Sequence, residues 1–113
     1  MNIRICGTGS ALPERKITND DLSQIMDTSD EWISSRTGIK ARHLATEETT
    51  TSLAAEAAKK ALADADMKPE EVELIIAATV TPDHLVPTLS CEVQREIGSP
   101  TGFWHSCLLW FFP

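Results

Sequence analysis

The chain has 113 residues, 42% hydrophobic and 24% charged, with a formal net charge of −7. That is one small domain's worth of globular sequence, and an acidic balance without a basic stripe excludes nucleic acid as a main partner. No apolar run approaches the roughly 20 residues needed to span a membrane, and Arg4 followed by Gly7 to Pro13 replaces the apolar core of a signal peptide, so the expectation is a cytoplasmic domain with no membrane partner.

In chain order, Ile3 to Cys6 reads as a short strand ended by Gly7-Thr-Gly-Ser10 and Pro13. Thr18-Asn-Asp-Asp21 opens a helix as a capping box with Asp in place of Glu, and Leu22, Ile25 and Met26 form its apolar face. Ser29 caps a second helix whose first turn holds Asp30 and Glu31 and which stops before Gly38. Ile39 to Leu44 is a short, basic, exposed strand. Thr50 to Asp66 is the clearest helix, with Leu53, Ala54, Ala57, Ala58, Ala61, Leu62 and Ala65 on one small-residue face. After the turn at Pro69, Val72 to Val80 is a continuous apolar run suited to a strand buried on both faces. Thr88 after Pro87 caps a last helix to Ile97, and the whole order gives an α/β class.

Composition breaks near residue 98. Five of the six aromatic residues (Phe103, Trp104, Trp110, Phe111 and Phe112) lie in the last eleven positions, and no charged residue follows Glu96. Leu108 to Pro113 has neither strand alternation nor a helical stripe. Two readings stand: an ordinary hydrophobic C-terminal strand, or a tail foreign to the fold before it. The second is preferred, with a boundary between residues 1–98 and 99–113.

Chemistry-bearing residues are sparse. Gly7-Thr-Gly-Ser10 lacks the third glycine of a dinucleotide loop, and Pro13 obstructs the helix such a loop needs, so it reads as a turn. His43, His84 and His105 share no metal-ligand spacing, and the odd cysteine count gives neither a disulfide framework nor a zinc site. Cys91 reads as a small helix hydrophobe, and Cys107 lacks any group that would activate it. Trp32 is the lone aromatic before residue 103, with Thr28 and Arg36 each four residues away. A ring, a hydroxyl and a guanidinium on one face suit a purine and a phosphate. On spacing alone, a half-buried tryptophan beside a solvated arginine is the preferred reading.

GTGSALPE (Gly7 to Glu14), TNDDL (Thr18 to Leu22), DTSDEWISSRTGI (Asp27 to Ile39), Arg42-His43 and AATVTPDHLVPTLSCEVQREIG (Ala77 to Gly98) together resemble β-ketoacyl-acyl-carrier-protein synthase III over residues 1 to 98. The resemblance implies the N-terminal part of a thiolase-like layered αβαβα fold. The family condenses an acyl-CoA primer with malonyl-acyl-carrier protein, releasing CO₂ through an acyl-cysteine, as a homodimer and with no cofactor beyond acyl-CoA as substrate. By resemblance Trp32 and Arg36 line the CoA entrance, the ring on adenine, with Thr28 close by. Val86 falls at the acyl pocket or dimer interface.

The family continues from this region to a nucleophile motif of the type Ala-Ala-Cys-Ser-Gly-Phe, which this sequence lacks; Cys107 is near the place with the wrong neighbours. Reading one nucleotide later, the Trp110 and Phe111 codons force glycine. The codons from Ser106 to Trp110 allow Ala, Ala, Cys and Ser in order, and Phe111 into Phe112 allows Phe. A one-nucleotide insertion or two-nucleotide loss near Ser99 to Thr101 would explain the tail. On that reading the chain is inactive alone. The alternative is a non-catalytic CoA-binding or dimer-interface fragment.

Overall fold

The structure, a computed structural model, describes residues 4–100 and the backbone of residues 103–108. Its packing separates two units, one of Leu12–Glu48 and one that joins Met1–Ala11 to Thr49–Pro113.

In the Leu12–Glu48 unit, β1 (Lys16–Thr18) and β2 (Ala41–His43) pair antiparallel, Ile17 opposite Arg42. Leu44 N extends the ladder by donating to Arg15 O at 2.9 Å. Helix α1 (Asn19–Ser23) starts from the expected capping box: Asp21 N donates to Thr18 Oγ1 at 3.2 Å and Thr18 N to Asp21 Oδ2 at 2.8 Å. It is shorter than its apolar spacing suggests. Gln24 N and Ile25 N donate to Asp21 O and Leu22 O, three residues back, so the turn tightens and ends. Ile25 and Met26 therefore leave the helix, and Ile25 is 78% exposed, which overturns the expected Leu22–Ile25–Met26 face.

Helix α2 (Asp30–Thr37) matches expectation at both ends. Trp32 N donates to the Ser29 hydroxyl at 3.1 Å, Asp30 and Glu31 occupy the first turn, and Gly38 (φ 70°) closes the helix in the left-handed region that glycine enters freely.

The other unit holds α3 (Thr50–Asp64), a 3₁₀ turn at Pro69–Glu71, β3 (Leu74–Thr79), α4 (Leu89–Ile97) and β4 (Phe103–Leu108). β3 and β4 are parallel, Leu74 opposite Phe103 through Thr79 opposite Leu108, with α4 in the connection. Leu89, Val93 and Ile97 of α4 form the core against Ala54, Ala58 and Leu62 of α3 and Ile75 and Ala77 of β3. β3 is covered on one face only. Ile75, Ala77 and Thr79 are half-buried, whereas Leu74, Ile76 and Ala78 are exposed, so the expected burial on both faces is not found.

Arg4 to Cys6, expected as a strand with Ile3, has no ladder partner among the described residues and is not a strand. Gly7 and Gly9 instead lie against α3. A Cβ on Gly7 would stand 2.5 Å from Ala61 O, and one on Gly9 would collide with Ala57 O. Thr8 N donates to Asp64 Oδ2 at 2.9 Å and Lys60 Nζ to Ser10 O at 3.1 Å, tying this extended passage to the helix.

The expected tail begins in ordered structure: Ser99 is buried, and β4 lies within the segment. The remainder of that tail, including the side chains of His105 and Cys107, lies outside the described residues.

Candidate functional site

Ser29 and Gly38 fix the limits of α2, and 3.6 residues per turn then place Arg36 one turn beyond Trp32 on the same face. The Arg36 guanidinium carbon lies 4.5 Å from the centroid of the Trp32 ring, a cation–π stack. Trp32 is 54% exposed, so the pair is presented at the surface rather than packed into a core. Thr28 does not share a helix face with them, because it precedes the N-cap. It is half-buried and, with Asp27, Ser29 and Trp32, lines a shallow cleft of about 330 Å³. The site offers a flat π-surface, a fixed cation and hydroxyl groups, a set that suits a planar heterocycle joined to an anion.

Asn19 was missed from the sequence. It is 1% exposed, and its Nδ2 donates to Asp30 Oδ1 at 2.7 Å and to Ile39 O at 2.8 Å, while its Oδ1 accepts from Arg42 at 2.6 Å. Hydrogen bonds from Asn19, then Ser34, hold the Asp30 carboxyl below the usual range. An Asn just after a capping Thr looks like an ordinary helix-start residue, so nothing in the sequence signals its burial.

Val86 sits in the other unit, on the loop before α4, and is 85% exposed beside exposed Leu85. Residues ahead of it are anchored. Asp83 accepts from Thr50 N at 3.0 Å and Thr51 N at 2.6 Å, and Thr50 Oγ1 donates to Thr81 O at 2.8 Å. His84 Nδ1 lies 2.8 Å from Glu92 Oε1, and Thr51 Oγ1 donates to Glu92 Oε2 at 2.8 Å. Glu92 is buried, and the Thr51 hydroxyl, followed by His84, lowers its pKa. The one signal for this network was an acid between apolar Leu89, Val93 and Ile97. His43 is engaged locally too, its Nδ1 2.6 Å from Pro13 O. Cys91 is only partly buried; its sulfur accepts from Thr88 Oγ1 at 3.4 Å, so Thr88 stands at the N-cap of α4 without capping its backbone.

No family model matches the chain. It is 53% identical over 98 residues to the β-ketoacyl-acyl-carrier-protein synthase III of Clostridium acetobutylicum, covering 87% of this chain and 30% of that protein. To the synthase III of Neisseria gonorrhoeae it is 54% identical over 100 residues, covering 88% and 31%. Among solved structures, the 3-oxoacyl-acyl-carrier-protein synthase III of Aquifex aeolicus superposes with a TM-score of 0.87 at 48% identity, over 94% of this chain and 35% of that one. A priming β-ketosynthase of the R1128 polyketide pathway superposes at 0.84 with 34% identity, over 92% and 32%. These likenesses define the class: the structure is part of a thiolase-like condensing-enzyme fold. Within that class the resemblance is to β-ketoacyl-acyl-carrier-protein synthase III, and the chain spans about a third of the length of the relatives it matches. Among the described residues no helix is long and apolar enough to cross a membrane.

Proposed function

We propose that this chain carries the CoA-recognition surface of a β-ketoacyl-acyl-carrier-protein synthase III. The complete enzyme condenses an acyl-CoA primer with malonyl-acyl-carrier protein, in the cytoplasm, as a homodimer and without a further cofactor. Trp32 stacks on adenine, Arg36 meets the phosphates beside it and Thr28 lines the entrance. Val86 stands at the acyl pocket or dimer interface. The observation that carries the reading is the Arg36–Trp32 stack, left at the surface in a segment about half identical to known synthases. Condensation needs a nucleophile motif that residues 1–98 do not contain, so these residues bind substrate and do not turn it over.

Calorimetric titration of the chain with CoA tests this. Base–aromatic stacking is worth about 1–3 kcal/mol, so Trp32→Ala is expected to weaken CoA by a factor of about 5 to about 150. It should leave phosphopantetheine, which lacks adenine, unchanged. Equal CoA affinity in wild type and Trp32→Ala would refute the assignment. Of the alternatives, a non-catalytic CoA-binding fragment predicts the same titration with no condensing activity toward acyl-CoA and malonyl-acyl-carrier protein, and an interface fragment predicts no CoA binding.

A further inference from the structure

Helix α2 has eight residues and one buried apolar side chain, Ile33. Isolated helices that short are unstable in water, and one anchor leaves rotation about the helix axis weakly determined. Something else must fix the direction in which Trp32 and Arg36 face. Asn19 reaches both ends of the helix with one planar amide: one Nδ2 hydrogen goes to Asp30, the first helical residue, and the other to the carbonyl of Ile39, just past the Gly38 cap. The Ser34 hydroxyl, 3.0 Å from Asp30 Oδ1, lies 3.4 Å from the same nitrogen. Arg42 of β2 donates to Oδ1, which forces the Nδ2 side toward α2, and Asn19 N donates to Lys40 O at 3.3 Å. Every polar atom of a nearly inaccessible side chain is thus used, and breaking any of these bonds leaves a buried group unpaired.

We propose that Asn19 is the positioning residue of the Trp32–Arg36 site: it sets the orientation of α2 and thereby the ring face offered to ligand. The ligand part of this inference rests on the CoA reading above; the orientation part does not. Asn19→Asp keeps size and the Arg42 contact but sets a carboxylate against that of Asp30. Asp30→Asn in the same chain restores a donor between them.

The test uses the full chain with Trp104→Phe and Trp110→Phe, so that Trp32 is the sole indole. Asn19→Asp is expected to shift Trp32 emission, to speed exchange of the Gly38 amide at least tenfold and to weaken CoA about tenfold. Far-UV circular dichroism should stay that of the parent. Asn19→Asp/Asp30→Asn should recover part of each change, because the contact with residue 30 is restored while the bond to the Ile39 carbonyl stays broken. Should Asn19→Asp not fold, Asp30→Ala, at an exposed position, removes the same bond from the other side and should give the emission and exchange changes in smaller size. Unchanged emission and exchange in a folded variant, or a double variant no better than Asn19→Asp, overturns the inference. Absence of CoA binding in the parent overturns the ligand reading alone.

Discussion

Asp83 accepts the N–H groups of Thr50 and Thr51, and the Thr49 hydroxyl accepts that of Ser52, so the first three donors of α3 are all satisfied. Hydrogen bonds from Thr51, then Thr50, hold the Asp83 carboxyl down to about 2. A carboxyl depressed in the folded state stabilises the fold above its unfolded pKa of about 3.9, and that contribution is lost as pH falls toward the folded value. Denaturant midpoints measured between about pH 4 and pH 2 should therefore fall more steeply for the parent than for Asp83→Asn. At neutral pH, Asp83→Asn should cost about 1 kcal/mol, the ordinary worth of a helix cap. Identical pH profiles for the two would mean that the carboxylate contributes nothing at this helix end. The buried Glu92 points the same way, lowered by Thr51 and His84; the Asp83 charge raises it, so Asp83→Asn lowers Glu92 further and the difference between the two profiles reads the two carboxyls together.

Helix α3 uses its small residues on two sides. Ala54, Ala58 and Leu62 meet α4, while Ala57, Ala61 and Ala65 admit the backbone at Gly7 and Gly9. Gly9→Ala would drive a methyl group into Ala57 O and to 2.5 Å from Ala61 N, both backbone atoms of a helix that cannot yield locally. The expected loss is roughly 1–3 kcal/mol, read as a lower denaturant midpoint at unchanged slope; a midpoint equal to the parent's would show that the segment has room to move. Such a contact marks what local sequence conveys and what it does not. Ser29, Thr18 and Gly38 announced their roles because capping is settled within three or four residues. Gly7 and Gly9 looked like a turn because their reason lies about fifty residues away. β1 escaped notice for the same cause: three residues, Lys16 to Thr18, hold no period, and only pairing with β2 makes them a strand. Trp32 and Arg36 were legible as a pair from their spacing, whereas Asn19 depended on Asp30, Ile39 and Arg42 meeting it in space.

At the scale of the molecule, one face of β3 is packed and the other bears exposed Leu74 and Ile76, the latter 67% accessible. A layered αβαβα fold covers both faces of its sheets, and this chain spans about a third of the relatives that build such layers. The continuous apolar run from Val72 to Val80 is thus a strand written for a larger body than these residues make. The last fifteen residues are the other departure. β4 has the backbone of a parallel strand beside β3, yet its sequence, Phe-Trp-His-Ser-Cys-Leu, is followed by Leu-Trp-Phe-Phe-Pro, without a charged residue. We propose that residues 99–113 are read out of the frame that encodes residues 1–98. Sequencing the codons for Gly98 to Pro113 from fresh template decides the point. The expected result is a reading one nucleotide later that spells Ala-Ala-Cys-Ser-Gly-Phe and stays open beyond it. A corrected chain carrying that cysteine should form an acyl-enzyme with acyl-CoA and lose it on Cys→Ser substitution at the restored motif. If no frame across those codons contains a cysteine flanked by small residues, the strand belongs to this chain as written and the frame proposal is wrong.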